Sequence, residues 1–548
     1  MQNQRLILLL VFSFSVVMLW EAWQKQGQTK PAPTAAIATQ SAVGSGAIPT
    51  PSSMPAPGAL PAATLPQIAA QTAAKAVVKT DLFDAEISAE GGNLIRLELT
   101  KHHATGDMSK NFVLFDNGEK HLYEAQSGLI GTGLPNHKTT YEFAARDYQL
   151  KAGQKALEVR LVTPAVNGIQ VAKTYTFHRG SYLIDVAYEI VNGSSSAIAP
   201  PAYFQDIRDG NSPEGDPKMV STFTGAAIYT EHDKYQKLGF DDIAKGKDKH
   251  AQKADNGWIA VVQHYFVSAW LPQGQVEREF FTRKLADNLY AVGVIVPVGT
   301  IAPGATGKVM VQLYAGPQEQ ENLAKIAPGL NLVVDYGWLT VVAAPLFWVL
   351  ELIHRWVGNW GWAIIGLTVL LKLIFFPLSA ASYKSMAKMK MVTPKLAKLK
   401  EQFADDRGRL NQEMMEMYKR EKINPLGGCL PIVVQIPVFI SLYWVLLGTV
   451  EMRHAPWLGW IQDLSTKDPY FILPLIMGVT MLVQTRLNPT PPDPIQAKVM
   501  LFMPIVFTGM FLFSPAGLVL YWTVNNLLSI AQQWQITRLI EGGKKKTT

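Results

Sequence analysis

Cysteine is nearly absent: Cys429 is the single one in 548 residues. That excludes an intrachain disulfide and any zinc or iron–sulfur site built on several thiolates. Charge is also scarce, at 17% of residues, against about 25% in an ordinary soluble chain. With 48% hydrophobic residues and a mean hydropathy of +0.09, a wholly soluble enzyme is disfavoured. No G-x-x-x-x-G-K-[ST], H-E-x-x-H or G-x-S-x-G run occurs, so no enzyme chemistry of those kinds is signalled. The ten histidines are scattered. His102-His103 would point to opposite faces of a strand, and His264, in an aromatic strand, reads as a packed core residue. No catalytic residue, metal site or cofactor is expected.

The net charge of +7 would hint at nucleic acid if it were spread evenly. It is not. Residues 6–330 carry 28 Lys+Arg and 30 Asp+Glu, whereas residues 331–548 carry 21 and 13. The basic excess lies in the half with the long apolar runs, the signature of a positive-inside membrane protein and not of a DNA binder.

Along the chain, residues 1–25 read as an uncleaved anchor span, because Leu19-Trp20-Glu21-Ala22-Trp23 lacks the small residues of a cleavage site. Residues 26–75 read as a disordered Ala/Pro-rich tether; 31–74 hold no charge at all. From 76 to 325 the pattern is period two. Tyr182, Ile184, Val186, Tyr188 and Ile190 alternate with polar or small residues, and Gly91-Gly92, Arg179-Gly180, Asn192-Gly193 and Pro303-Gly304 punctuate it. This predicts an all-β antiparallel sandwich. Residues 326–357, interrupted by Pro345, read as a linker and an interfacial amphipathic helix.

Five further membrane-grade runs follow, at 358–380, 425–448, 470–485, 499–513 and 514–537. With the anchor they make a polytopic α-helical protein of six spans. The loop 381–424 has 11 Lys+Arg and 6 Asp+Glu, whereas 449–469 has two and three. That bias places both termini, the loop 381–424, the short loop 486–498 and the basic tail 538–548 in the cytoplasm. The loop 449–469 and the sandwich fall on the periplasmic side.

Three constellations stand out. Lys372 is a charge inside an otherwise apolar run, which costs about 2.5–3.5 kcal/mol at a helix centre. Thr368 lies one turn earlier on the same face, so a wet groove is favoured over snorkelling. Second, the loop 381–424 has the spacing of a helical hairpin kinked near Pro394. Met386, Met389, Met414 and Met417 read first as its packed seam, and second as an adaptable apolar surface for nascent chains. Lys388 belongs to a basic face that lipid or ribosomal RNA could meet. Third, Asn424-Pro425-Leu426-Gly427-Gly428-Cys429 reads as a hinge and packing site. No Asp or Glu lies in the apolar core of any span, which argues against a coupled transporter.

Several runs resemble the YidC membrane protein insertases: Ala387-Lys388-Met389, Gln412-Glu413-Met414-Met415, Asn424 to Cys429, Gln435-Ile436-Pro437-Val438-Phe439, Asp468-Pro469-Tyr470 and Pro515 to Trp522. The resemblance covers all but the tether and is to the Gram-negative form with a large periplasmic domain. It implies a five-helix insertase core with a hydrophilic groove, and a periplasmic β-supersandwich of galactose-mutarotase type. In the groove Lys372 stands where most such relatives carry Arg, keeping the charge without the planar fork. Thr368 and Trp522 match other groove positions. The implied function is insertion and chaperoning of inner-membrane proteins, alone or with the Sec translocon, without nucleotide hydrolysis. Implied partners are nascent membrane proteins, the Sec translocon through the periplasmic domain and spans, a ribosome or targeting receptor, and the phospholipid bilayer. The alternatives are a small-solute transporter and a membrane-anchored periplasmic sugar-binding module.

Overall fold

The computed structural model describes residues 48–49, 51, 74–105, 107–118, 121–213, 216, 222–403, 406–421, 430–488 and 494–544. The expected anchor 1–25, most of the tether and the run from Asn424 to Cys429 lie outside the described residues. The chain divides into two compact units. One holds Ser41–Asp335 with 448–450, and the other Tyr336–Leu447 and Glu451–Thr548.

The first unit is the expected all-β domain. Among the described residues its strands form two sheets, of ten and nine strands. Pairing is antiparallel except where Lys75–Lys79 runs parallel to Asp147–Gln149. Strand Leu183–Asn192 lies between Ile169–His178 and Thr306–Pro317. Its Ile184, Val186, Tyr188 and Ile190 are buried, and Asp185 and Glu189 face outward. This is the period-two alternation of a half-solvated sheet. Phe177, Tyr188, Phe204 and Trp270 are among the side chains that fill the space between the sheets.

The alternation fails where both faces of a strand are covered, as in Leu122–Leu129, Pro201–Asp209 and the run from Trp258. The run from Trp258 is two strands, Trp258–Gln263 and Phe266–Pro272. They turn at His264-Tyr265, where Tyr265 has φ +70°. His264 is therefore a turn residue, stacked on Tyr265 at 3.7 Å with Nδ1 3.5 Å from an oxygen of Asp216. Strand Trp258–Gln263 is buried at every position, and the segment at Pro328-Gly329 packs beside it. The Trp258 indole N–H donates to the Pro328 carbonyl at 3.0 Å. Gly257, at φ +96°, lies so close to the Tyr229 carbonyl that a Cβ would collide with it.

The second unit is helical. Its described helices are Thr340–Val357, Trp360–Ile374, Phe376–Gln402, Arg407–Arg420, Leu430–Gly448, Ile472–Leu487, Pro494–Phe511 and Ala516–Lys544. The expected second span ends earlier than its apolar run. The chain bends by 67° between Trp360–Ile374 and Phe376–Val392, and Pro377 sits in the first turn of the next helix, where its missing N–H costs nothing. One helix then runs from Phe376 through Pro394 to Gln402.

Thr340–Val357 is long and apolar enough to cross a membrane by itself, and the bent pair is so together. Val434–Gly448, Ile472–Leu487 and Ala497–Phe511 are shorter apolar helices. At 1.5 Å per residue, 15 or 16 residues reach about 24 Å of a ~30 Å hydrocarbon core. The described helices thus do not reproduce a count of six spans.

Candidate functional site

Side-chain hydrogen bonds join the last helix to several of its neighbours. Lys372 Nζ donates to Ser529 Oγ at 2.7 Å, and Ser529 Oγ donates to the Asn525 carbonyl at 2.7 Å. Gln435 Nε2 donates to Asn525 Oδ1 at 2.5 Å. Asn526 Nδ2 donates to Thr480 Oγ1 at 3.2 Å, and Gln533 Nε2 to Asn488 Oδ1 at 3.1 Å. Asn525, Asn526, Ser529 and Gln533 follow one another at one to four residues, so their side chains fan out from little more than two turns of one helix.

Lys372 is buried, 8% exposed. It lines a small cavity, open on one side, whose polar lining is Thr368, Lys372, Ser379, Gln435, Tyr521 and Asn525. Leu371, Phe375, Leu378, Val434 and Val438 complete the wall. No carboxylate lines the cavity among the described residues. Among the described residues the ammonium donates to the Ser529 hydroxyl and meets no carboxylate. Thr368 adds less polarity than its spacing suggested, because its hydroxyl donates to the Ile364 carbonyl of its own helix at 2.7 Å.

Trp522 is not part of this lining; Tyr521 is. Trp522 packs edge-on against Phe439, ring centroids 4.5 Å apart, and against Phe507 and Phe511. Ser379, Tyr521 and Ser529 were not singled out by the sequence. A serine in a helix carries little signal until its facing helix is known.

The hairpin methionines divide. Met417 is buried with Val392, Leu396 and Tyr418, and Met389 and Met414 pack against that cluster; these three form a seam. Met386 lines a separate cavity with Tyr383, Gln533 and Trp534. On the basic face Lys384 and Lys398 are exposed and Lys388 is half-buried. Lys395 pairs with Glu421 at 2.6 Å.

Asp468 explains a motif that the sequence offered as resemblance alone. Its carboxylate accepts from the backbone N–H groups of Tyr470 (2.9 Å) and Leu473 (2.7 Å) and from the Trp460 indole (3.1 Å). It thus serves as a cap for Ile472–Leu487. Further along that helix, a Cβ on Gly478 would collide with Thr508, so the glycine allows helix Pro494–Phe511 to approach.

Two family models cover nearly the whole described chain: the YidC periplasmic domain over residues 75–349 and the 60Kd inner membrane protein over residues 352–545. The chain belongs to the YidC membrane protein insertase family. It is 64% identical to the membrane protein insertase YidC of Aromatoleum aromaticum, covering 99% of each chain. It is 61% identical to the protein of the same name from Dechloromonas aromatica, covering 100% of this chain and 99% of that one. A solved structure described as an active YidC insertase with its first transmembrane domain resolved covers 84% of this chain and 92% of its own. It does so at 18% identity and a TM-score of 0.39. Membership supports membrane protein insertion over the transporter and sugar-module readings. It makes the chain an inner-membrane protein with a periplasmic domain.

Proposed function

We propose that the cavity around Lys372 receives the polar flank of a nascent membrane segment while its apolar part moves into lipid. What supports this reading is one observation: a buried ammonium faces an open, partly polar cavity that holds no carboxylate of its own among the described residues. The free energy comes from burying about 20 apolar residues in the bilayer, so no nucleotide is needed. The cavity lowers the barrier of carrying a polar tail through hydrocarbon, and Lys372 favours acidic tails.

The topology belongs to the same proposal: six spans counting the anchor 1–25, both termini cytoplasmic and the β domain periplasmic. Thr340–Val357 lies in the interface. The hairpin stands in the cytoplasm, where Met386 and the basic face with Lys388 meet the arriving segment, a ribosome or a targeting receptor. The Sec translocon would be met by the periplasmic domain and the spans.

The test is protease protection of a short single-span protein with an acidic N-terminal tail, added to vesicles holding this purified chain alone. A protected fragment of span size, without ATP and above empty vesicles, is expected. Protection only after the translocon is added would make that partner obligatory. None in either case would overturn the proposal.

A further inference from the structure

The ten-stranded sheet carries a second apolar patch on its outer face, beside polar groups such as Glu124, Gln126 and Gln205. Along Pro201–Asp209, Ala202 and Phe204 enter the core between the sheets, whereas Tyr203 and Ile207 join a separate cluster with Phe281, Ala291 and Ile295. Strand alternation puts that second cluster on the outer face. Tyr203 is fully buried and Ile207 is 1% exposed; the His137 loop covers part of this patch, its backbone N–H donating to the Tyr203 hydroxyl at 3.0 Å. Ile48 packs against the cluster, and Pro49 beside it is buried. Both belong to the segment that composition alone assigns to a featureless tether.

We propose that this outer face is a docking surface for the chain's own Ile48-Pro49 segment, which pins the tether at a second point. Three features suit the segment to that role. Pro49 and Pro51 lack the N–H needed to extend a sheet edge, so the segment is suited to lie across a face. Proline pre-sets an extended backbone and lowers the entropy lost on docking, and such segments favour aromatic-lined surfaces such as that of Tyr203 and Phe281. Finally, covalent linkage gives an effective concentration of order millimolar, so a contact too weak to hold a free peptide is occupied in cis.

The consequence is shorter reach. Between Lys25 and Ile48 lie 22 residues, whereas 49 lie between Lys25 and Lys75. Fully extended, 22 residues span at most about 75–80 Å and 49 span about 160–175 Å. The pin therefore halves the distance over which the β domain can stray from the anchor.

The test uses the full chain in membrane vesicles with Cys429→Ala. Single cysteines are placed by Ile48→Cys and by Ile37→Cys, the same residue type elsewhere in the tether. Maleimide labelling at position 48 is expected to be at least ten-fold slower than at position 37; equal rates would overturn the proposal. A benzoylphenylalanine photoprobe at position 48 should crosslink within one chain, to peptides that carry Tyr203, Phe281 or Ile295. Crosslinks to lipid or to other segments would overturn the proposal. A crosslink between two chains would overturn docking in cis and make a second copy's tether the occupant.

Discussion

Lys372 donates to Ser529 at 2.7 Å across 157 residues of sequence. The bond ties the charged helix Trp360–Ile374 to the last helix, Ala516–Lys544. It holds the ammonium at the cavity wall, and Ser529 in turn is held by the Asn525 carbonyl. The charge is thus positioned by a second helix.

The pair should couple energetically. Hydrogen bonds to charged groups contribute about 1.5–3 kcal/mol. Thermal unfolding of Lys372→Met, Ser529→Ala and the double variant in detergent should give a coupling of about 1 kcal/mol or more. Strict additivity would mean that the two side chains do not hold each other.

Asp468 serves two backbone donors and one indole. Its loss in Asp468→Ala should lower stability by about 1–2 kcal/mol, read as a shift in the unfolding midpoint. Asp468→Asn keeps one acceptor oxygen and should lose less. Equal losses for the two variants would refute the capping role.

Close packing at Gly478 predicts a suppressor. Gly478→Ala forces its new methyl into Thr508 and should cost about 1–3 kcal/mol by overpacking. Adding Thr508→Ala should recover most of that loss. If the double variant is as unstable as the sum of the singles, the helices do not meet there.

Two buried groups in the β domain give opposite pH slopes. Burial, against the hydrogen bond from the Trp270 indole, raises the Asp206 carboxyl to about 7. Between about pH 4 and 7 the native state keeps a proton that the unfolded chain has lost, so stability falls as pH rises, by about 4 kcal/mol at most. Burial lowers His137 to about 4. Between pH 6.5 and 4 the unfolded chain gains a proton that the native state refuses, so stability falls as pH falls. Midpoints of Asp206→Asn should therefore improve on wild type most at the alkaline end, and those of His137→Gln at the acid end. Parallel profiles would contradict both assignments.

The β domain was legible because its half-buried strands alternate; Ile184, Val186, Tyr188 and Ile190 sit as their spacing implies. Strand Trp258–Gln263 hid its boundary because both faces are covered and alternation vanishes. Lys372 was legible because a lone charge in an apolar run is costly. Ser529 and Tyr521 were not, because periodicity tells which residues share a helix face but not which helix lies opposite. Trp522, which resemblance places in the groove, packs against Phe439, Phe507 and Phe511. The break at Phe375 escaped because the apolar run continues through it to Leu378, so hydropathy carries no mark of the bend.

The central claim is that the charge at 372 recruits the substrate's polar flank. The most direct measurement compares insertion rates of two single-span substrates, identical but for an acidic or a basic N-terminal tail. It uses vesicles holding wild type, Lys372→Arg or Lys372→Glu. The account predicts that Lys372→Arg stays within about two-fold of wild type. It predicts that Lys372→Glu slows the acidic-tailed substrate about ten-fold, a change of about 1.4 kcal/mol, and slows the basic-tailed one far less. Equal rates for all three proteins with both substrates would contradict it.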